Sequence, residues 1–201
     1  MGRKKLLSAA LIVAALAGIV EGANMKLEKA VFAGGCFWCM LPPFQKLDGV
    51  KEIIAGYTGG QKENPNYEEV SSGKTGHYEA VEITFDPSKI TYAKLLDVFW
   101  RQIDPTDTGG QFSDKGTQYR TAIFYNNQQQ RAAAEKSKSE LENSGRFDKP
   151  IATAIIKAER FYRAEEYHQD YPSKNPSMYN FYKENSGRGN YLEEKWKKDA
   201  K

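Results

Sequence analysis

This chain of 201 residues is poor in the groups that usually announce a site, with only two cysteines and two histidines. A zinc centre built from four cysteines is excluded, and a mixed one would need His77 and His168 to converge on both cysteines. Cys36 and Cys39 stand three apart, so a bond between them closes too short a loop to constrain the unfolded chain. A disulfide framework is therefore excluded as well. Haem attachment through C-x-x-C needs a histidine next, and residue 40 is Met. Internal repeats, low-complexity tracts and long stripes of one charge sign are also missing. The net charge of +3 is dispersed among interspersed acids and bases, which argues against a nucleic-acid partner. The one basic cluster of the body, 195–198, sits beside Glu193 and Glu194 and reads as a solvated helix face.

Long hydrophobic runs are absent after residue 20. Before it, a basic start (Arg3, Lys4, Lys5) leads into an uninterrupted apolar stretch from Leu6 to Val20, then Glu21 and the small residues Gly22 and Ala23. That stretch is short for a membrane span and suits the apolar region of a secretory leader; the alternative reading is an uncleaved N-terminal anchor. We expect cleavage after Gly22, giving a leader over 1–22 and one domain over 23–201. No cysteine follows the run, so a lipoprotein anchor is excluded. The mature protein is expected in a bacterial periplasm or secreted, as a monomer without stable membrane association. That compartment is oxidising, and a close cysteine pair there rests as a disulfide unless something keeps reducing it.

Beyond the leader, short apolar runs alternate with helical periodicities. Residues 29–34 (KAVFAG) read as a buried strand ending in two glycines. A helix is expected from about Cys36 to Leu47, disturbed by Pro42 and Pro43. Either its regular part starts near Pro43 or two segments are kinked. Residues 50–60 read as a strand, and 64–77 as a loop with one helical turn. Residues 78–86 form a half-buried strand with Ala80, Glu82 and Thr84 on one face and Val81, Ile83 and Phe85 on the other. A helix capped by Thr91 follows, then a polar Gly-rich loop over 104–120, of the kind that is more often functional than idle. A strand at 121–125, a polar helix ending at Gly145 and a strand at 151–159 complete the body. Short helices and loops make up the last forty residues. The order predicts an α+β fold: a two-layer α/β sandwich with a mixed sheet, a ferredoxin-like core and a long irregular C-terminal segment.

With stapling, zinc and haem set aside, the stretch AGGCFWCM points to redox chemistry. Cys36 follows a strand and two glycines and opens a helix, where backbone N–H groups and the positive helix end favour a thiolate. That makes Cys36 the candidate nucleophile and Cys39, one turn on, the resolving thiol. Two enzymes fit: a thioredoxin-like thiol-disulfide oxidoreductase, or one that reduces an oxidised small group through a sulfenic acid at Cys36. The rings of Phe37 and Trp38 favour the second. A methyl-thioether packs well on aromatic walls, and a ring face steadies positive charge developing on sulfur. Both rings could equally be core residues at a helix start. A non-enzymatic reading, an aromatic-lined binding module with incidental cysteines, also remains.

The chain resembles the A-type methionine sulfoxide reductases, which reduce the S-epimer of methionine sulfoxide. The resemblance rests on GCFWC (35–39), GYTGG (56–60), NPNYEEV (64–70), TGHYEAVEITFDP (75–87), DKGTQYRTAIFY (114–125) and EEYHQDY (165–171), in order along the domain. It implies that Cys36 attacks the sulfoxide sulfur, that Phe37 and Trp38 wall the pocket for the ε-methyl group, and that Glu79 is the acid. Tyr67 and Tyr119 match the hydroxyl donors to the sulfoxide oxygen, and Asp114 a carboxylate that orients the substrate. The substrate is methionine sulfoxide, free or in proteins, and no metal or organic cofactor is implied. Glu79 can serve as an acid near neutrality only if burial raises its pKa. Many relatives carry resolving cysteines in the C-terminal tail. Here there is no third cysteine, so Cys39 is the only internal resolver and a thioredoxin-like dithiol must reduce the Cys36–Cys39 disulfide. His77 and His168 fall inside matching blocks, are assigned no chemistry and read as satisfied structural histidines.

Overall fold

The structure, a computed structural model, describes residues 26–197; the leader expected over 1–22 lies outside them. Strand β1 (Glu28–Gly34), helix α1 (Phe37–Gln45) and strand β2 (Val50–Thr58) open the domain. A short helix α2 (Tyr67–Ser71), strand β3 (Tyr78–Phe85) and helix α3 (Tyr92–Trp100) follow. The Gly-rich loop contains a small hairpin, β4 (Gly110–Gln111) with β5 (Asp114–Lys115), and a 3-10 turn at Thr117–Tyr119. Then come β6 (Thr121–Tyr125), α4 (Gln128–Asn143), β7 (Ala154–Lys157) and β8 (Tyr162–Arg163). Three short helices, α5 (Tyr171–Lys174), α6 (Pro176–Asn185) and α7 (Arg188–Trp196), end the described chain.

The main sheet has the order β7-β6-β1-β3-β2-β8. β1 lies antiparallel between β3 and β6, β2 is antiparallel to β3, and β6 is parallel to β7, so the sheet is mixed. With α1 joining β1 to β2 and α3 joining β3 to β6, the central order 6-1-3-2 is the ferredoxin-like arrangement. Period-two alternation assigns the faces. Phe32, Val81, Ile83 and Phe85 pack under Leu41, Phe44, Leu96 and Phe99. Phe32 stacks on Phe44 at 5.7 Å and on Phe99 at 5.0 Å. The opposite face carries Val31, Ala33, Ala80 and Phe124, covered by Tyr78, Ile156 and Phe161 rather than by helices.

Helix α1 departs from both expectations for it. It begins at Phe37 and runs through Pro42 and Pro43. Each proline removes one i to i−4 bond, leaving the carbonyls of Trp38 and Cys39 without that partner at a cost of about 3 kcal/mol per site. Phe37, Met40, Leu41 and Phe44 on the same helix are buried. Their burial contributes roughly 1.5–3 kcal/mol each, which outweighs the two breaks. The strand expected over 151–159 is shorter, Ala154–Lys157, because only these residues pair with β6.

Candidate active site

The site forms where β1 ends, α1 begins and β3 starts. The chain turns between strand and helix at Gly34 and Gly35, and the turn tolerates little else. Gly35 has φ +82°, and a Cβ there would lie 2.6 Å from Gln111 Cβ. A Cβ on Gly34 would lie 2.5 Å from Met40 Sδ. Arg188, buried on α7, braces the turn by donating from Nη2 to the Gly34 carbonyl at 3.1 Å and from Nη1 to the Gln102 carbonyl at 2.5 Å. This clamp places Cys36 at the N-cap of α1 and Cys39 one turn later, its N–H bonded to the Cys36 carbonyl at 3.1 Å. Both cysteines are free thiols, 7% and 4% exposed. Such burial disfavours a general disulfide exchanger, whose thiols must meet many partners.

Glu79 lies in the same register as Val81, Ile83 and Phe85, on the helix-covered face, and is 2% exposed. Its Oε2 accepts the Phe37 N–H at 3.1 Å. Burial pushes its pKa up to about 8, with Asp114 and Cys39 adding to the rise against the Phe37 hydrogen bond. The carboxyl therefore carries its proton at neutral pH.

The thiols correct one expectation. Cys36 was expected to be a thiolate favoured by the helix end. Instead burial drives its pKa well up, and its hydrogen bond with Cys39 and the charge of Glu79 act in the same direction. The physical reason is local: the first helical N–H is engaged by Glu79, and a nine-residue helix interrupted by two prolines offers little field. Cys39 is the more acidic thiol, lowered to about 7 chiefly by the hydrogen bond from Cys36 and then by Arg188 and Lys183.

Tyr67 and Tyr119 are half-buried, and both hydroxyls are pushed up, first by burial and then by Glu79. Cys36 and Asp114 act on both as well, which places the two hydroxyls in one cluster with the acid and the thiol. Asp114 accepts a hydrogen bond from the Tyr182 hydroxyl, and burial raises its carboxyl. Phe37 is buried, whereas Trp38 is half-buried and stacks on Tyr171 at 3.7 Å and 7°. All eight residues singled out in the sequence therefore belong to this one region.

Sequence reasoning missed the support around them. His168 is buried, and its Nδ1 accepts the Trp38 indole N–H at 3.2 Å. Its ring lies 4.8 Å from Phe37 and 4.5 Å from Tyr67. Glu165 accepts the Tyr67 backbone N–H at 2.8 Å and the Tyr57 hydroxyl at 2.9 Å. Tyr171, Tyr182 and Arg188 were likewise unassigned, and the dense aromatic block at 165–171 was the only available signal. His77 is a loop fastener: its Nδ1 accepts the Gly60 N–H at 3.1 Å and its Nε2 meets the Lys62 carbonyl at 2.7 Å.

Comparisons with known proteins show the family to which the chain belongs. The family model "Peptide methionine sulfoxide reductase" matches residues 28–200. The chain is similar to a Bacillus velezensis protein named peptide methionine sulfoxide reductase MsrA, 56% identical over 172 residues, covering 86% of this chain and 97% of that protein. It is similar to the protein of that name from Bacillus licheniformis, 58% identical over 171 residues, covering 85% and 94%. Among solved structures, reduced Mxr1 from Saccharomyces cerevisiae superposes with a TM-score of 0.71 at 34% identity, covering 76% of this chain and 88% of that one. Mxr1 has also been solved in complex with Trx2. By its family match, its relatives and its fold, the chain belongs to the peptide methionine sulfoxide reductase family.

Proposed function

We propose that this site reduces the S-epimer of methionine sulfoxide, free or in proteins, to methionine. The observation that carries the reading is Glu79: a buried carboxyl, protonated up to about pH 8, in one cluster with Cys36. The ε-methyl group rests against Phe37 and Trp38, Asp114 orients the substrate, and Tyr67 and Tyr119 donate to the sulfoxide oxygen. Cys36 sulfur attacks the sulfoxide sulfur while Glu79 protonates the departing oxygen. The carboxylate left behind recovers the thiol proton. The departed hydroxide then attacks Cys36 sulfur, breaking the new sulfur–sulfur bond and expelling methionine, so that in sum the thiol and the sulfoxide become a sulfenic acid at Cys36 and methionine. Cys39 then displaces hydroxide from that sulfenic acid, releasing water and forming the Cys36–Cys39 disulfide. An external dithiol of the thioredoxin type reduces it, a reading supported by the Trx2 complex of the yeast protein.

The direct test is turnover of the two methyl sulfoxide epimers with dithiothreitol as reductant. The expected result is reduction of the S-epimer alone; no turnover of that epimer overturns the proposal. Cys39→Ser separates the two thiols. It should release methionine in the first turnover at close to the wild-type rate, then stop with a sulfenic acid trapped at Cys36, seen by dimedone capture. Loss of that first turnover means that Cys39 takes part before the sulfenic acid exists.

We also propose that the protein works outside the cytoplasm, periplasmic or secreted. The basic start and the apolar run over 6–20 support this, as does the family match beginning only at residue 28. Intact-mass measurement of protein recovered from the oxidising compartment should show a chain beginning near Ala23. A recovered chain that retains residues 1–22 contradicts the leader. An exported enzyme cannot draw on cytoplasmic thioredoxin, so its reductant is a thioredoxin-like protein supplied with electrons through the membrane.

A further inference from the structure

The aromatic lining of the site continues beyond its mouth. Among the described residues, the large apolar side chains left exposed are Leu27, Tyr167, Met178 and Phe181. Leu27 stands near the start of the described chain, whereas the other three lie on the two segments that brace Trp38. One segment is the 3-10 turn Glu166–His168, where His168 accepts the indole N–H. The Tyr167 ring there lies 4.1 Å from that of His168, which in turn meets Tyr67 at 4.5 Å and Phe37 at 4.8 Å. The other segment is α6, whose Tyr182 meets Trp38 edge-on, 6.4 Å between ring centres, and donates its hydroxyl to Asp114. Met178 stands four residues before Tyr182 and three before Phe181, so it neighbours both on the helix surface. Tyr167, Met178 and Phe181 each leave more than half of their surface open to solvent. Exposed apolar residues scattered singly need no explanation, but three gathered around one pocket mark a binding surface.

We infer that these three side chains form a subsite for the residues adjoining the methionine sulfoxide. The substrate taken best is then an unfolded polypeptide segment with large apolar residues beside the sulfoxide. The inference rests on the functional reading above and deepens it by naming the substrate class.

Both sides of the contact point to that occupant. Cys36 is almost wholly buried, so a methionine sulfoxide side chain that reaches it brings its own backbone only as far as the rim. The adjoining side chains of a bound polypeptide therefore meet Tyr167 on one segment and Met178 and Phe181 on the other. Free methionine sulfoxide leaves these three uncovered. Methionine is among the residues most often buried, and its oxidation puts a polar group into the core and disrupts it. The segment that opens exposes its apolar neighbours together with the sulfoxide, and the rim offers them cover from water. The residue types also suit neighbours that vary from one protein to the next. Tyrosine supplies a large contact area at low entropy cost, and methionine adapts its shape to its partner.

The test compares two S-sulfoxide pentapeptides, one with Phe on each side of the methionine sulfoxide and one with Ser. Single turnovers of the reduced enzyme are followed, so that no reductant takes part. Below saturation, the wild type should reduce the Phe-flanked peptide at least tenfold faster than the Ser-flanked one. In Tyr167→Ser with Phe181→Ser, that ratio should fall at least threefold, while the saturating rates of the two peptides stay alike. A smaller preference in the wild type, or one that the double variant retains, overturns the proposal. A loss of the same size on free methionine sulfoxide would reveal a damaged pocket in place of a lost subsite, and overturns it too. So does a dimer in the wild type that the double variant lacks, which would give the surface to a second copy of the chain. Slower reduction by thioredoxin with the peptide ratio intact would give it to the reductant. Absence of methionine from any S-sulfoxide in the wild type overturns the functional reading itself.

Discussion

Cys36→Ser should abolish methionine formation, lowering the single-turnover rate by about 10⁴-fold or more while the fold is kept. Serine can replace the thiol sterically at a site only 7% exposed, but its oxygen cannot accept oxygen from the sulfoxide and become a sulfenic acid. The loss should appear equally with dithiothreitol and with a protein reductant, because both act after the step that fails. Thermal melting should change little, since the hydrogen bond lost with the thiol is the weak one to Cys39. Methionine formation by Cys36→Ser within tenfold of wild type would place the nucleophile elsewhere. The burial that keeps Cys36 protonated has a consequence in the wild type too. The resting thiol should alkylate slowly with iodoacetamide at neutral pH, and Cys39 faster.

Glu79→Gln should slow the first turnover by about 10²–10⁴-fold, the range for losing a positioned proton donor. Glutamine can still accept the Phe37 N–H, so the start of α1 is preserved and the missing element is the proton. Wild-type activity should therefore fall as pH rises through about 8, where the Glu79 carboxyl ionises, and the variant should lack that limb. Stability follows from the same proton. The folded state holds a proton on Glu79 that the unfolded chain releases in the ordinary carboxylate range, so below that range the raised pKa costs nothing. Stability is then lost as pH rises from that range through the folded value of about 8. By pH 7 the penalty is about 3 kcal/mol, from roughly 1.4 kcal/mol per pH unit. The melting temperature of Glu79→Gln should therefore exceed that of the wild type by more at pH 8 than at pH 5. A gap of equal size at both pH values would remove Glu79 as the titrating group.

The alternation of 78–86 separates the two sheet faces, and the Thr91 side chain caps α3 by accepting the Lys94 N–H at 3.2 Å, as its position suggested. Glu79 shows how far such reading goes. A glutamate on an alternating strand is ordinarily a solvated face residue, yet its parity with Val81, Ile83 and Phe85 puts Glu79 on the apolar face, where the structure buries it. Its protonation at neutral pH does not follow from parity, because desolvation depends on what α1 lays over it. The reverse holds for Cys36. Its place at a helix start was legible, yet the thiolate inferred from that place was wrong, since the nearest N–H turned to Glu79. Pro42 and Pro43 misled in the same way, because local rules cannot weigh the burial that holds them in the helix.

The sequence alone determined that its two cysteines stand three apart with two aromatic residues between them and that no third cysteine occurs in these 201 residues, because this depends only on which residues exist and how far apart they stand. It also determined the order of strands and helices, which local periodicity encodes. Tertiary structure alone decided which thiol is acidic, why Glu79 keeps a proton, and that His168 and Glu165 hold Trp38 and Tyr67 from far along the chain. Charge and proton affinity are set by burial and by groups within a few ångströms in space, and a chain meets those groups only once it has folded.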